Sequence, residues 1–366
     1  MRKVLLVTNR RPDDAGGRAE KFDARKRLLR DHGWEVVVGY VPEPYLRSFL
    51  PSVRRLVRLA RREDVVVVNS VNNPFHLHLI GYLVSQLSGT RWLAELRDPI
   101  YTHPDRSGLS PVTYAAAAIE RLVVHAADGI VWFDGIQLPD DYFETRYPDA
   151  VDRIAQLPFM GYERGKFEDA ASESREPFTI TYAGSFYDGW IEPYDFLAGF
   201  GQFMRGQPDA EIEAHFYGDW DPAYTAAARE AGVEDRLVTH DPIPHDELVP
   251  VLKGSDVLLY VGGDDPGNEL NVPSKTWDYI GARSPILSIV DPEFRVARFI
   301  REQGLGIVVP TDDSEAVADA IESLYTGTAD YDPDPSVFDR YTRERTAQRF
   351  AEALDSTAAG EPLSDR

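Results

Sequence analysis

Short apolar runs alternate along this chain with longer segments in which apolar residues recur at helical spacing. In the first half the predicted strands are Val4–Thr8, Glu35–Tyr40, Val65–Asn69, Arg91–Leu96 and Gly129–Phe133, and the predicted helices are Ala19–His32, Ser52–Arg62, Phe75–Ser88 and Pro111–Ala127. In the second half the predicted strands are Thr179–Ala183, Glu213–Tyr217, Leu237–Thr239, Val257–Tyr260, Ile286–Ile289 and Ile307–Val309, and the predicted helices are Pro193–Arg205, Pro222–Ala231, His245–Lys253, Ser274–Gly281, Pro292–Gln303 and Ser314–Tyr325. Such alternation predicts an α/β protein with parallel sheets covered by helices on both faces.

The alternation is interrupted once, near Leu157–Ser174, where two glycines and a charged stretch replace it. We therefore predict two doubly wound domains, residues 1–160 and 177–336, joined by a linker at 161–176. A helical pattern at 337–356 is expected to pack back on the first domain, and residues 357–366 are expected to form a flexible tail. A chain of 366 residues is long enough for two separate cores.

The composition narrows the function further. The formal charge is −22, with 61 acidic against 39 basic residues, and this argues against nucleic acid as a partner. Such acidity is typical of a protein adapted to high salt, although an ordinary acidic cytosolic protein is the alternative. Cysteine is absent, which excludes disulfides and thiolate chemistry. The first apolar run is too short for a signal peptide and none approaches the ~20 residues that span a bilayer, so a cytoplasmic location is expected.

Ligands of doubly wound sheets bind beyond the carboxyl ends of the strands, and the loops there are the candidate site. In the first half these loops offer Gly16 and Gly17, whose backbone could approach a phosphate or sugar, and Arg97 with Asp98 after the fourth strand. A plain turn and a salt-bridged strand end are the respective alternatives.

In the second half the corresponding loops offer Gly184 and Ser185, then Gly218 and Asp219, then Pro242 and Ile243. Each pair taken alone is also compatible with a simple turn. The most informative segment is Asn271–Ile289, NVPSKTWDYIGARSPILSI, in which Ser274 and Lys275 open a helix that carries Asp278. Lys275, one of six lysines, and Asp278 share a helical face, which favours a phosphate beside sugar hydroxyls.

Other patterns were weighed and set aside. Asp219 and Asp221 resemble a metal-binding pair, but the spacing recurs in this aspartate-rich chain, and His76 and His78 would face apart on a helix. No metal or cofactor is therefore expected. The phosphate-binding motif GxxxxGK[ST] and the dinucleotide fingerprint GxGxxG are both absent from the sequence.

One segment is basic in an acidic chain. Arg47–Arg62 contains six arginines and no acid, and its apolar residues recur at helical spacing. Arg54, Arg55 and Arg58 are predicted to contact an anionic membrane surface or a lipid-phosphate acceptor. A surface helix packed on the sheet by its apolar stripe is the alternative, and both can hold together.

These residues resemble the family 4 glycosyltransferases of the GT-B fold, in which two Rossmann-like domains face a central cleft. VPSKTWDYIGARSPIL is similar to the family's VPSKLYEYLAAGKPIL, ELRDPIY to DLRDPW, and LPFMGYERGKF to the linker PNGVD…F. Gly16 and Gly17 followed by GWEVVV resemble its GG…L…GHEV pattern. Three departures stand out: Leu270 replaces the first glutamate of EX7E, no base follows Gly184, and Arg97-Asp98 replaces a common histidine.

The resemblance implies transfer of a sugar, with retention of anomeric configuration, from a nucleotide diphosphate sugar to a hydroxyl of a glycan or of a polyprenyl- or dolichyl-linked acceptor. It implies that Lys275, Ser185 and Gly184 hold the diphosphate, Asp278 the ribose, and Pro242 and Ile243 the base. Gly17 and Asp98 would face the acceptor side, with Asp98 and Lys275 as the catalytic candidates and no metal required. A sugar-nucleotide 2-epimerase and a non-catalytic sugar-nucleotide-binding or scaffold protein remain alternatives.

Overall fold

The chain forms two compact units, Met1–Met160 with Arg343–Arg366 and Gly161–Thr342. A computed structural model describes residues 1–11, 17–72, 74–102, 110–133, 136, 138–158, 161–172 and 176–363, without the side chains of residues 17–22. Each unit contains one six-stranded parallel sheet. The predicted α/β class with two doubly wound sheets is confirmed.

The first unit is built on a sheet of order β2-β1-β3-β4-β5-β6. Its strands are β1 (Arg2–Thr8), β2 (Trp34–Tyr40), β3 (Val67–Val71), β4 (Arg91–Leu96), β5 (Gly129–Phe133) and β6 (Ile154–Leu157). Its helices before residue 160 are α1 (Gly17–Asp31), α2 (Tyr45–Arg62), α3 (Leu77–Ser88), α4 (Pro111–Ala126) and α5 (Tyr142–Arg146). β1, β3 and β5 are made almost wholly of buried residues, as expected for strands covered on both faces.

The second unit repeats this plan with the order β12-β11-β10-β7-β8-β9. Its strands are β7 (Phe178–Ala183), β8 (Ile212–Tyr217), β9 (Leu237–His240), β10 (Val257–Gly263), β11 (Ile286–Val290) and β12 (Gly306–Val309). Its helices are α6 (Arg164–Asp169), α7 (Tyr194–Gly206), α8 (Pro222–Ala231), α9 (His245–Gly254), α10 (Lys275–Ala282), α11 (Arg295–Glu302), α12 (Ser314–Tyr325) and α13 (Ser336–Arg340). The strand order reverses between β7 and β10, which is where doubly wound sheets bind ligands.

The terminal segment differs from the single helix that the pattern predicts. It is divided at Tyr341 and Thr342 into α13, in the second unit, and α14 (Arg343–Ala359), in the first. α14 packs on α1 and on the first sheet, where Phe350 and Leu354 are buried. Trp34 Nε1 donates a hydrogen bond of 2.7 Å to Asp355 Oδ1 and ties this helix to β2.

Two further differences concern element boundaries. β6 was not predicted, because its four residues adjoin the region interpreted as a linker. α2 begins at Tyr45, seven residues before the predicted start, and runs through Pro51. Pro51 is exposed, so the carbonyl left without a helical partner can bond water.

No helix in the described part of the chain is long and apolar enough to cross a membrane.

Candidate functional site

The second unit holds a cavity of about 540 Å³ at the carboxyl ends of β7, β8, β9 and β10. The loops after these strands and the start of α10 border it. Most of the residues predicted for a donor site line this one cavity: Gly184, Ser185, Gly218, Pro242, Ile243, Ser274, Lys275 and Asp278. Residues from four loops and one helix, up to 94 positions apart in sequence (184 to 278), therefore meet at the switch point of the sheet.

Asp219 lies to one side of the cavity. It borders an adjoining open hollow that it shares with Asp221 and His240, and Gly218 and Pro242 lie on the boundary of both. A carboxylate in the hollow does not favour a diphosphate there, and the nucleotide-binding role of Asp219 stays a prediction.

Lys275 is the first residue of α10 and, among the described residues, the one lysine that borders the cavity. Its Nζ lies 4.0 Å from the centroid of the Tyr182 ring. Among the described residues no carboxylate pairs with it. Burial lowers the pKa of Lys275 from its usual 10.5 to about 7. A half-buried ammonium that only an aromatic face stabilises is poised to accept an anionic partner.

Asp278 lies one helical turn after Lys275, and the two side chains border the same cavity, as the i, i+3 spacing predicts. Asp278 Oδ1 is 3.1 Å from Nε2 of His245, the first residue of α9. His245 therefore orients the Asp278 carboxylate. The second carboxylate oxygen is left for a ligand hydroxyl.

Gly184 and Gly218 bring the ends of β7 and β8 into close contact. Both have positive φ, at 141° and 148°. A Cβ on Gly184 would stand 2.7 Å from Lys275 Nζ, and one on Gly218 would collide with the carbonyl oxygen of Gly184. The floor of the cavity thus depends on two positions without side chains.

Gly218→Ala is expected to lower the free energy of unfolding by about 2–4 kcal/mol, because strained φ and a backbone collision act together. Urea unfolding measures this. Gly206→Ala is the matched control, since a Cβ there meets no atom within 4 Å. Equal stability of the two variants would contradict the close approach of β7 and β8.

Several residues that line the cavity, or contact residues lining it, were not predicted from the sequence. Tyr182 lies beneath Lys275 and stacks on Phe186 with ring centroids 4.4 Å apart. Tyr187 and Trp190 border the cavity from the loop after β7. The aromatic density of YAGSFYDGW was the available signal for these residues. His245 gave none, because a lone histidine at a helix start is unremarkable.

In the first unit, Arg97 takes part in an ion cluster around the buried Glu95. Arg97 Nε lies 2.7 Å from Glu95 Oε1, and Arg25 binds both carboxylate oxygens at 2.8 Å. Burial raises the pKa of Glu95, but the two guanidinium groups outweigh it and hold that pKa at about 2. Arg97 is thus engaged through its Nε in an ion pair at the end of the strand, and its acceptor-side role stays a prediction.

The structure places the other predicted residues of this unit as follows, and none of the described ones lines a cavity named above. Asp98 is half-buried after β4, and its carbonyl accepts a hydrogen bond from Asn72 Nδ2. Gly17 is the first residue of α1, and Gly16 lies outside the described residues. Their acceptor-side role stays a prediction.

Helix α2 separates its two faces as the pattern predicts. Val53, Leu56, Val57 and Ala60 are buried, while Arg54, Arg55 and Arg58 are exposed. Arg55 donates to the carbonyl of Tyr40, and Arg58 Nε to that of Arg54 at 3.3 Å. Within the described residues, none of these three arginines forms an ion pair. Leu46 and Leu50, in the first turns, are 94% and 61% exposed.

Within the part of the chain that the structure describes, no three His, Asp or Glu side chains are grouped so that they could hold a metal ion. His215 Nδ1 lies 3.2 Å from His240 Nε2, and His215 Nε2 lies 3.1 Å from Glu213 Oε2. None of these three residues lines the main cavity.

Two parallel six-stranded sheets with a cavity at a switch point define the GT-B class of fold. Comparison with solved structures finds this arrangement over the full length of the chain. The lipopolysaccharide outer core galactosyltransferase WaaB is 13% identical, with a TM-score of 0.64 over 97% of this chain and 99% of that one. Anabaena HepE in complex with UDP is 14% identical, with a TM-score of 0.63 over 97% and 100%.

A third similar structure is a UDP-N-acetylglucosamine 2-epimerase, described as putative, from Listeria monocytogenes, 14% identical with a TM-score of 0.61 over 100% and 99% of the two chains. No model of a known protein family matches the sequence, and no curated protein does. Likeness at this level of identity establishes the fold, and the activity has to be argued from the site.

Proposed function

We propose that this protein is a retaining glycosyltransferase that takes a sugar from a nucleotide diphosphate sugar. The observation that carries the proposal is Lys275, an ammonium without a carboxylate partner at the start of α10, in the cavity at the switch point. A diphosphate supplies the missing negative charge and also meets the N–H groups of a helix start.

The remaining lining fits the other parts of such a donor. Gly184 and Ser185 offer backbone and hydroxyl groups to the diphosphate, and Asp278, oriented by His245, can accept from ribose hydroxyls. Pro242 and Ile243, after β9, would frame the base. The similar HepE structures contain UDP and UDP-glucose, which supports a nucleotide-sugar ligand for a cavity of this fold.

The chemistry asked of the site is stabilisation of the leaving group. Breaking the anomeric bond leaves an oxocarbenium-like sugar and a diphosphate with added negative charge. Lys275 and the helix start face that charge without a metal ion. Asp98 is proposed to contact the donor sugar or the acceptor hydroxyl, and Gly16, Gly17 and Arg97 the acceptor side.

The acceptor is proposed to be a glycan or a polyprenyl- or dolichyl-linked glycan at the cytoplasmic face of a membrane. The exposed arginines of α2, together with Leu46 and Leu50, support this, because basic and apolar side chains side by side favour an anionic lipid surface. The surplus of acid elsewhere would repel such a surface, so contact would be confined to α2.

Replacing Arg54, Arg55 and Arg58 by glutamine is expected to weaken sedimentation with anionic vesicles at least tenfold, at about 1 kcal/mol for each charge. Vesicle pelleting at low salt measures it. Replacing Arg205, Arg229 and Arg301 removes the same charge elsewhere and should leave pelleting unchanged. Equal loss in both variants would mean that only net charge matters.

Incubation with UDP-, GDP- and ADP-sugars, with and without short glycan and polyprenyl-phosphate acceptors, tests the proposed activity. Nucleotide release that depends on acceptor supports the transferase. Isomerisation without acceptor would favour a sugar-nucleotide 2-epimerase, which the Listeria likeness keeps as the second candidate. Binding without turnover would indicate a non-catalytic sugar-nucleotide-binding protein.

A further inference from the structure

The loop after β7 forms a small aromatic hairpin at the rim of the cavity. Tyr187 and Ile191 exchange two backbone hydrogen bonds of 2.9 Å, and Trp190 N donates to Tyr187 O at 2.9 Å. The turn therefore has a fixed backbone. It presents the side chains of Tyr187 and Trp190 at the cavity.

Both rings are exposed although they are large and apolar. Tyr187 is 52% and Trp190 43% exposed, and both border the cavity. Their centroids are 5.6 Å apart and their planes make an angle of 50°, so neither ring covers the other. Exposed aromatic surface on a fixed turn beside a cavity is typical of a ligand contact.

The hairpin is packed onto the sheet on the side of β10. The carbonyl oxygen of Trp190 lies so close to Gly263, at the end of β10, that a Cβ there would stand 2.7 Å away. Phe186 stacks on Tyr182, and the Tyr182 ring also lies 4.0 Å from Lys275 Nζ. Phe186, the residue before Tyr187, thus connects the hairpin through Tyr182 to the proposed diphosphate position at Lys275.

The sheet order separates this hairpin from the proposed base position. In the order β10-β7-β8-β9, Pro242 and Ile243 follow β9, while Trp190 packs over β10, and Gly184 and Lys275 meet near β7. A nucleotide laid with its base on the β9 side and its diphosphate beside Lys275 points its far end toward β10. That far end is where a nucleotide sugar carries its sugar.

We infer that the hairpin of Tyr187 and Trp190 binds a pyranose ring, whose apolar C–H face packs on the aromatic faces. This rests on the proposed function. The electron-rich face of an aromatic ring attracts polarised C–H groups, and the hydroxyls at the pyranose edge can meet the Asn271 amide, which lines the same cavity. The sugar is either that of the donor or one of the acceptor glycan.

The test compares the protein with Tyr187→Ala, Trp190→Ala and the double variant, with Tyr194→Ala as control. Tyr194 is 40% exposed and does not border the cavity. Calorimetry with UDP and UDP-glucose, and with GDP and GDP-mannose, measures donor binding. Saturation-transfer NMR with methyl glucoside and methyl mannoside, at saturating UDP or GDP, measures binding of a separate sugar. Circular dichroism checks the fold of each variant.

If the donor sugar is the occupant, the double variant should lose about tenfold or more in affinity for the nucleotide sugar and under twofold for the nucleotide. If an acceptor sugar is the occupant, donor affinity stays and the glycoside signal falls. Equal losses for nucleotide and nucleotide sugar would place the base on the rings and overturn the inference, as would no loss in either measurement.

Failure of the proposed function gives a different result. A protein that binds no nucleotide but binds glycosides through these rings would retain the pyranose site and lose the transferase proposal. A protein that binds neither loses both. If nucleotides bind through Lys275 but the Tyr187 and Trp190 variants change neither nucleotide-sugar affinity nor the glycoside signal, only the pyranose-site inference is overturned.

Discussion

Lys275→Ala is expected to weaken binding of nucleoside diphosphates and to slow sugar transfer by about 100-fold or more. Among the residues that the structure describes, Lys275 is the one lysine or arginine lining the cavity, so in Lys275→Ala the helix start would face the charge of the leaving group without it. Removing one preorganised donor to a developing negative charge commonly costs 10²–10³-fold in rate. Calorimetric titration and single-turnover transfer measure the two losses separately.

Replacing Lys275 by an uncharged side chain of similar length should not weaken the fold, which separates loss of function from loss of structure. Burial of the ammonium is unfavourable, so Lys275→Met is expected to raise the free energy of unfolding by about 1 kcal/mol or more at pH 6. The gain should shrink as pH rises from 7 toward 10.5, because over that range the unfolded chain binds the proton that the folded chain has lost. Lys3→Ala, at the half-exposed pair with Glu63, is the control. A lower free energy of unfolding in Lys275→Met would contradict the interpretation that the Lys275 ammonium is buried without a carboxylate partner.

Affinity for a nucleoside diphosphate is expected to fall up to tenfold for each pH unit above 7. In the free protein the pKa of Lys275 is about 7, so the ammonium is already charged below that pH. A bound diphosphate restores the pKa toward its ordinary value, so above pH 7 binding takes up a proton. From pH 7 to 9 the loss is about 50-fold, because half of the Lys275 side chains are already neutral at pH 7.

Calorimetry at pH 8 in two buffers of different ionisation enthalpy detects that proton directly. We expect an uptake close to one proton per nucleotide, and none in Lys275→Met. Zero uptake in the unaltered protein, with tight binding retained at pH 9, would show that Lys275 is not the group that meets the diphosphate.

The fold was accessible from the sequence because it depends on local patterns. Runs such as those of β1 and β10 are buried on both faces, and the helices between them carry their own periodicity. β6 was missed because four residues next to an irregular segment carry little pattern. The break between α13 and α14 was missed because both halves continue one helical period, and only packing on different units separates them.

Part of the cavity could be predicted from the sequence for a related reason. Parallel strands place their carboxyl ends at one edge, so residues after β7, β8 and β9 could be expected near Lys275. The partners of individual side chains could not be predicted. His245 reaches Asp278 across 33 residues and Tyr182 lies beneath Lys275, and nothing in the local pattern of either segment encodes these contacts. Arg97 shows the opposite case, since its position at a strand end suggested function, while its Nε is held by Glu95, which Arg25 also binds.

Hydrogen–deuterium exchange with and without UDP, GDP and ADP tests the central claim most directly, namely that the cavity of the second unit binds a nucleoside diphosphate. With at least one of these nucleotides, the backbone amides of residues 184–187, 218–219 and 274–276 should exchange more slowly, and Lys275→Ala should abolish the effect. Unchanged exchange with all three nucleotides, or protection confined to the first unit, would contradict the account.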